Sequence, residues 1–306
     1  MGRRPAKGGV SSNLSGQRQD TMSGSINSVV TNSGAMIALE SLDKTNTQLN
    51  GVQKQVSTGY RVADATDDGA AYAVAQSVRS TVGALTSANQ QLGGVQGLLS
   101  TTESGLNDIS NTMSSMRDVL LKLADVGVQG NERTQYEQQY QSLLGNVKSF
   151  IEDANYNGKT LIGNITGSSG TFGAVSVVRN ENAATYGIAS FGGSELYGSI
   201  AYTTTQLNGA STVAALISAT GTFLNQQNAV GTALNSVGSS VNYVNNQISY
   251  NNDKMDALNS GLGALVDADL AKESALLQSL QIQQQLGTQA LTLANQAPQT
   301  LLSLFK

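Results

Sequence analysis

Histidine, cysteine and tryptophan are all absent from this 306-residue chain, and proline occurs only twice. Without histidine the commonest general base is missing, and without cysteine as well the usual zinc ligands and the thiol nucleophile are gone. The composition therefore argues against an enzyme and against a metal or other cofactor. No disulfide framework can form. The prolines are Pro5 and Pro298, so between them no helix is stopped by a missing backbone N–H and long helices are permitted. Charge is scarce, at 12% of residues, with a net charge of -4. Setting aside Arg3, Arg4, Lys7, Arg18 and Asp20 leaves 13 basic against 20 acidic residues, an acidic body unsuited to nucleic acid. The first 21 residues are basic and glycine-rich but lack an apolar segment, so they do not read as a cleaved Sec signal peptide.

Two stretches carry no charge at all, Thr21 to Leu39 and Ser274 to Phe305. The second is no membrane span, because glutamines interrupt it and no run approaches the roughly 20 apolar residues a bilayer needs. Leu277, Leu280, Leu291 and Ala294 recur along one helical stripe, while Ile282, Leu286 and Leu293 lie off it. That is more apolar width than a single partner helix covers. Near the other end a stripe runs through Ala35, Ala38, Leu42, Thr45, Leu49, Val52 and Val56, with Leu39 beside it.

A sustained heptad lies between them. From Val74 the spacing alternates four and three through Val78, Thr81, Leu85, Ala88, Leu92, Val95, Leu99, Thr102, Leu106, Ile109, Met113, Met116, Leu120 and Leu123. At 1.5 Å per residue this predicts a rod about 75 Å long. Val230, Leu234, Val237, Val241, Val244 and Ile248 form its natural partner series, resumed at Met255, Leu258, Leu262 and Leu265 after a gap near Asn251. Tyr136, Tyr140, Leu143, Val147 and Phe150 make a shorter third stripe. A plain helical bundle would show the same periods.

Residues 163–209 are glycine-rich and poor in charge, and Phe172 to Val178 reads as one short strand. Asn157-Gly158 just before them is a hairpin-turn pair, since both central positions of a type I′ turn need positive φ. The expected fold is mainly α: a long antiparallel helical coiled coil or bundle with paired N- and C-terminal helices and a small β or irregular outer insert. Its expected divisions are a disordered or non-native extension over 1–22, an inner terminal-helix domain from 23–60 and 266–306, a helical rod from 61–162 and 210–265, and the variable insert over 163–209. Met22 is the expected true initiator. Asp267, Asp269 and Glu273 read as helix-opening acids rather than metal ligands, and Asp67 and Asp68 as helix-start caps.

Two blocks carry a family resemblance. SINSVVTNSGAMIALESL leads into VSTGYRVADATDDGAAYAVAQSVRS (Val56 to Ser80), and the chain closes on VDADLAKESALLQSLQIQQQLGTQALTLANQAPQTLLSLF (Val266 to Phe305). Both resemble bacterial flagellins, over nearly everything from Met22 to Lys306. The resemblance implies a structural subunit that is secreted through the flagellar export channel and polymerises into an extracellular helical filament for motility. It implies as partners other flagellin subunits, hook-associated and cap proteins, an export chaperone and the export apparatus.

Leu39, Leu42, Leu49, Val52, Val56, Leu277, Leu280, Ile282, Leu286, Leu291 and Leu293 are then the expected packing residues within and between subunits. The rod core is expected from Leu85, Leu92, Val95, Leu99, Leu106, Ile109, Met113 and Met116 against Val237, Val241, Val244 and Ile248. A second reading, a flagellin-like surface adhesin or polysaccharide receptor, rests on Tyr186, Tyr197 and Tyr202 in the insert, whose rings suit a sugar face.

Overall fold

The structure, a computed structural model, describes residues 32–167 and 170–304, with side chains to residue 296. The extension over 1–22, the initiator at Met22 and residues 23–31 of the expected inner domain lie outside the described residues. The chain divides into two compact units, one of Met1–Gly69 with Val266–Lys306 and one of Ala70–Leu265.

The first unit is an antiparallel helix pair. Helix α1 (Ser33–Thr58) starts at Asn32, whose side chain accepts from the Ala35 amide at 3.1 Å. It stops at Gly59, held at φ 75° in the left-handed region that glycine adopts without strain, with its N–H on the Gln55 carbonyl. The C-terminal helix, Leu270–Leu304, opens under Asp269, whose carboxylate accepts from the amides of Ala271 and Lys272. That cap satisfies two otherwise orphaned donors.

The second unit is built on α2 (Gly69–Leu123), with α3 (Gly130–Asp153), α4 (Gly193–Ile200), α5 (Thr204–Leu207), α6 (Ala210–Leu216) and α7 (Thr222–Val266); the terminal helix is therefore α8. Helices α2 and α7 run antiparallel in one register. The Asn89 side chain donates to Asn252 at 2.8 Å, one heptad on Gln96 donates to Asn245 at 2.8 Å, and further along Gln227 reaches Ser114 at 3.5 Å.

Every α2 heptad position from Leu85 to Leu123 is buried except Val95, which is half-buried. Val230, Val237 and Val244 of α7 are buried, while Leu234, Val241 and Ile248 are half-buried against the same core. Tyr140, Leu144, Val147 and Ile151 of α3 close that core. Full burial of one such leucine is worth about 1.5–3 kcal/mol, so the seam is the main apolar source of this unit's cohesion. At its start the expected phase fails: Val74 is exposed and Ala71 and Ala75 are buried instead.

The insert is more helical and more divided than expected. Phe172 to Val178 is not one strand. Gly173, at φ 154°, breaks it into β2 (Thr171–Phe172), parallel to β1 (Lys159–Thr160), and β3 (Val175–Val178), antiparallel to β4 (Thr185–Ile188). Helices α4 and α5 occupy 193–200 and 204–207. The Asn157-Gly158 turn has both residues at positive φ, 48° and 75°, and paired backbone bonds between Tyr156 and Lys159 on either side of it.

Candidate functional site

In the helix pair, the covered face of α1 consists of Ala35, Ala38, Leu42, Thr45, Leu49, Val52 and Val56; Thr45 and Val52 are buried and the rest half-buried. The covered face of α8 is Leu277, Leu280, Gln284, Gly287, Leu291 and Ala294, with Leu280 buried most deeply. Polar rungs set the register of the pair. The Asn32 side chain donates to the Ala294 carbonyl at 2.8 Å, and Gln284 donates to Asn46 at 2.7 Å. Between those rungs Gly287 admits the Leu42 side chain so closely that an added Cβ would lie 3.1 Å from it.

The opposite faces are uncovered. On α8, Ile282, Leu286 and Leu293 are 58%, 57% and 67% exposed, and on α1, Met36, Ile37 and Leu39 are 64%, 68% and 49% exposed. Leu39 therefore does not join Leu42 and Leu49 against α8. Two helices side by side bury one stripe each, which leaves Ile282, Leu286 and Leu293 as an outer stripe on the side of α8 away from α1, and Met36, Ile37 and Leu39 spread around the uncovered sides of α1.

The far end of the pair is tied by a charged knot. In the loop between α1 and α2, Asp67 accepts from the amides of Ala63 and Asp64, and Lys54 reaches Asp64 at 2.6 Å and Asp67 at 2.8 Å. Asp67 thus turns back on its own loop instead of capping α2 as its position suggested; the amides nearest its carboxylate belong to the loop. The Lys54 ammonium, and for Asp64 the Thr66 hydroxyl and amide, hold both carboxyls below the usual aspartate range, and the two carboxylates raise Lys54. Backbone bonds from Arg61 and Val62 to the Val266 carbonyl, and from Ala268 to Gly59, join this loop to the turn before α8.

The insert tyrosines pack against the core of their own unit. Tyr186 stacks on Tyr243 of α7 with centroids 3.9 Å apart, and its hydroxyl meets Ser240. Tyr202 is buried, stacks on Tyr140 at 5.9 Å and bonds Thr222. Tyr197 packs half-buried against the same core. One face of Tyr186 and one of Tyr202 are thus taken by Tyr243 and Tyr140.

Sequence reasoning missed Gln284 and Gly287, whose place in the four-three spacing of α8 was a usable signal, and Asn32, Asn46 and Lys54, for which spacing offers none. Among the described residues no group of three or more His, Cys, Asp or Glu could hold a metal ion, and no helix is long and apolar enough to cross a membrane.

Residues 29–166 match the bacterial flagellin N-terminal helical region and residues 217–305 match the bacterial flagellin C-terminal helical region. The chain is 31% identical over 285 residues to flagellin FljM of Caulobacter vibrioides, covering 92% of this chain and 99% of that one. It is 32% identical over 295 residues to a flagellin of Brucella melitensis, covering 91% and 99%. A solved flagellar hook-associated protein from Vibrio parahaemolyticus shares the fold at a TM-score of 0.55 with 15% identity, over 66% of this chain and all of that one. Matching helical regions at both termini, with relatives aligned almost end to end, place this chain in the bacterial flagellin family.

Proposed function

We infer that this chain is a structural subunit of the bacterial flagellar filament, where it polymerises with other flagellin subunits outside the cell. The observation that carries the mechanism is the apolar surface that the pairing leaves uncovered, the outer stripe Ile282, Leu286 and Leu293 on α8 and Met36, Ile37 and Leu39 on α1. Large apolar residues gathered on the exposed side of a helix mark an interaction surface. A neighbouring copy covers it through a heterologous contact, and such a contact that does not close generates a filament. Leu42, Leu49, Val52, Val56, Leu277, Leu280 and Leu291 hold the pair together within the subunit, and the outer stripe joins subunits.

Hook-associated and cap proteins at the filament ends, an export chaperone and the export apparatus complete the set of partners, with export by a route that needs no cleaved Sec signal. No observation favours the adhesin reading. Electron microscopy of the purified protein under polymerising conditions is the test. Filaments from the unaltered chain and none from Leu286→Asp or Leu293→Asp support the reading; full-length filaments from those variants overturn the role of the outer stripe.

A further inference from the structure

The apolar seam between α2 and α7 repeats itself. Leu85, Leu92, Leu99 and Leu106 recur every seven residues on one helix, and Val230, Val237 and Val244 recur every seven on the other. Sliding one helix by a heptad sets leucine in place of leucine and valine in place of valine, so packing at these positions discriminates weakly between registers, although Ala88, Val95, Thr102 and Ile109 between them do not repeat.

The next position in the valine series is Asn251. It is fully buried, in the gap of the heptad pattern. Its amide nitrogen donates to the Asn89 side chain at 2.8 Å and to the Arg179 carbonyl at 3.0 Å, and its oxygen accepts from Gln247 at 2.9 Å. Asn89 passes the chain on by donating to Asn252. Arg179 closes the β3–β4 hairpin through its amide on the Ala184 carbonyl, and its guanidinium donates to the Tyr243 hydroxyl at 3.0 Å. One side chain therefore joins α2, α7 and the hairpin.

We propose that Asn251 is the register key of the rod: the antiparallel alignment of α2 with α7, and the seat of the β3–β4 hairpin upon it, are selected by the Asn251–Asn89–Arg179 hydrogen bonds rather than by the apolar seam. In a one-heptad slip Val82 or Gln96 stands in place of Asn89 beside Asn251, and Val244 or Leu258 stands in place of Asn251 beside Asn89, so the Asn251–Asn89 bond is lost in both directions. A buried amide left without partners is strongly disfavoured, whereas the leucines and valines lose little. A single polar residue at a core heptad position is a known means of choosing one register among several apolar ones, at a cost in stability.

The chain's lack of cysteine makes the test clean. In the full-length protein, Gln96→Cys with Asn245→Cys reports the native register. Gln96→Cys with Gly238→Cys, and Glu103→Cys with Asn245→Cys, report slips of one heptad in the two directions. A short bis-maleimide should link only the native pair when Asn251 and Asn89 are intact. Asn251→Val alone and Asn89→Val alone should lower the melting temperature, each leaving a partner unsatisfied. The double variant should regain much of that loss and yet link a slipped pair, or lose hydrogen-exchange protection across Val175–Val178. A folded double variant that links only the native pair and keeps the hairpin protected overturns the proposal, as does a double variant no more stable than the singles.

Discussion

Lys54 shows how one side chain sets the order of a loop. Its ammonium lies within 2.6 Å of Asp64 and 2.8 Å of Asp67, and Asp67 in turn caps two loop amides. Both aspartates have depressed pKa values, so their contribution is complete above the ordinary aspartate value of 3.8 and is lost as pH falls through the lower folded values. Lys54 is raised, so its share is complete below the ordinary lysine value of 10.5 and is lost as pH rises through the higher folded value. The amides of Ala63 and Asp64 should therefore exchange slowly between those limits and rapidly in strong acid, measured by hydrogen exchange with the intrinsic rate divided out. Lys54→Met should speed their exchange at neutral pH. Gly193 is a second residue with a fixed demand: a Cβ there would meet the Ile162 carbonyl oxygen and lie 2.7 Å from Ile151. Backbone cannot step aside as a side-chain end can. Gly193→Ala should cost about 1–3 kcal/mol, read from urea unfolding.

At the scale of elements, helical glycines and helical leucines give opposite expectations. Gly93 and Gly94 sit in the middle of α2 with nothing within 4 Å of where a Cβ would go. Alanine at either place should raise the stability of the isolated subunit by up to about 1 kcal/mol, since glycine is the poorer helix former and no neighbour objects. Urea midpoints decide this. On α8, Leu280 and Leu286 are only six residues apart and face different surroundings, one buried against α1 and one in water. Leu280→Asp should unpair α8 from α1 and lower the helicity of the monomer, because it buries a carboxylate with no partner. Leu286→Asp should leave monomer helicity unchanged and block filament growth. Circular dichroism and electron microscopy together separate the two.

For the whole molecule, the division into a terminal-helix unit and the unit of Ala70–Leu265 predicts what survives truncation. The larger unit contains its own core, from Leu92 and Leu99 to Tyr140 and Phe223. Deleting residues 274–306 should leave it folded and soluble, with a cooperative thermal transition, yet unable to polymerise, because α1 has lost its partner and the outer stripe of α8 is gone. Filaments of normal length from that truncation would show that assembly does not depend on α8. An isolated helix in water is marginal, so residues 33–58 of the truncated protein should become the first site of limited proteolysis.

Sequence by itself determined where the long helices run and which face of each is apolar, but not the short helices α4, α5 and α6. The four-three spacing from Leu85 to Leu123 and the stripe from Leu42 to Val56 needed no knowledge of a partner, because helical periodicity is a property of a few consecutive turns. The absence of interior proline and the Asn157-Gly158 pair were legible for the same reason: their constraints act on their own backbone. Tertiary structure decided what depends on residues distant in the chain. Ala71 and Ala75 are buried in place of Val74, and Asn251 fills a gap in the heptads because Asn89 and Arg179 meet it there. Gly287 leaves room for Leu42, Asp67 turns to Lys54, and Tyr186 and Tyr202 turn their rings to the helices. Each of these choices compares two surroundings for the same side chain, and the free-energy difference between them exists only once the chain has brought the partners together.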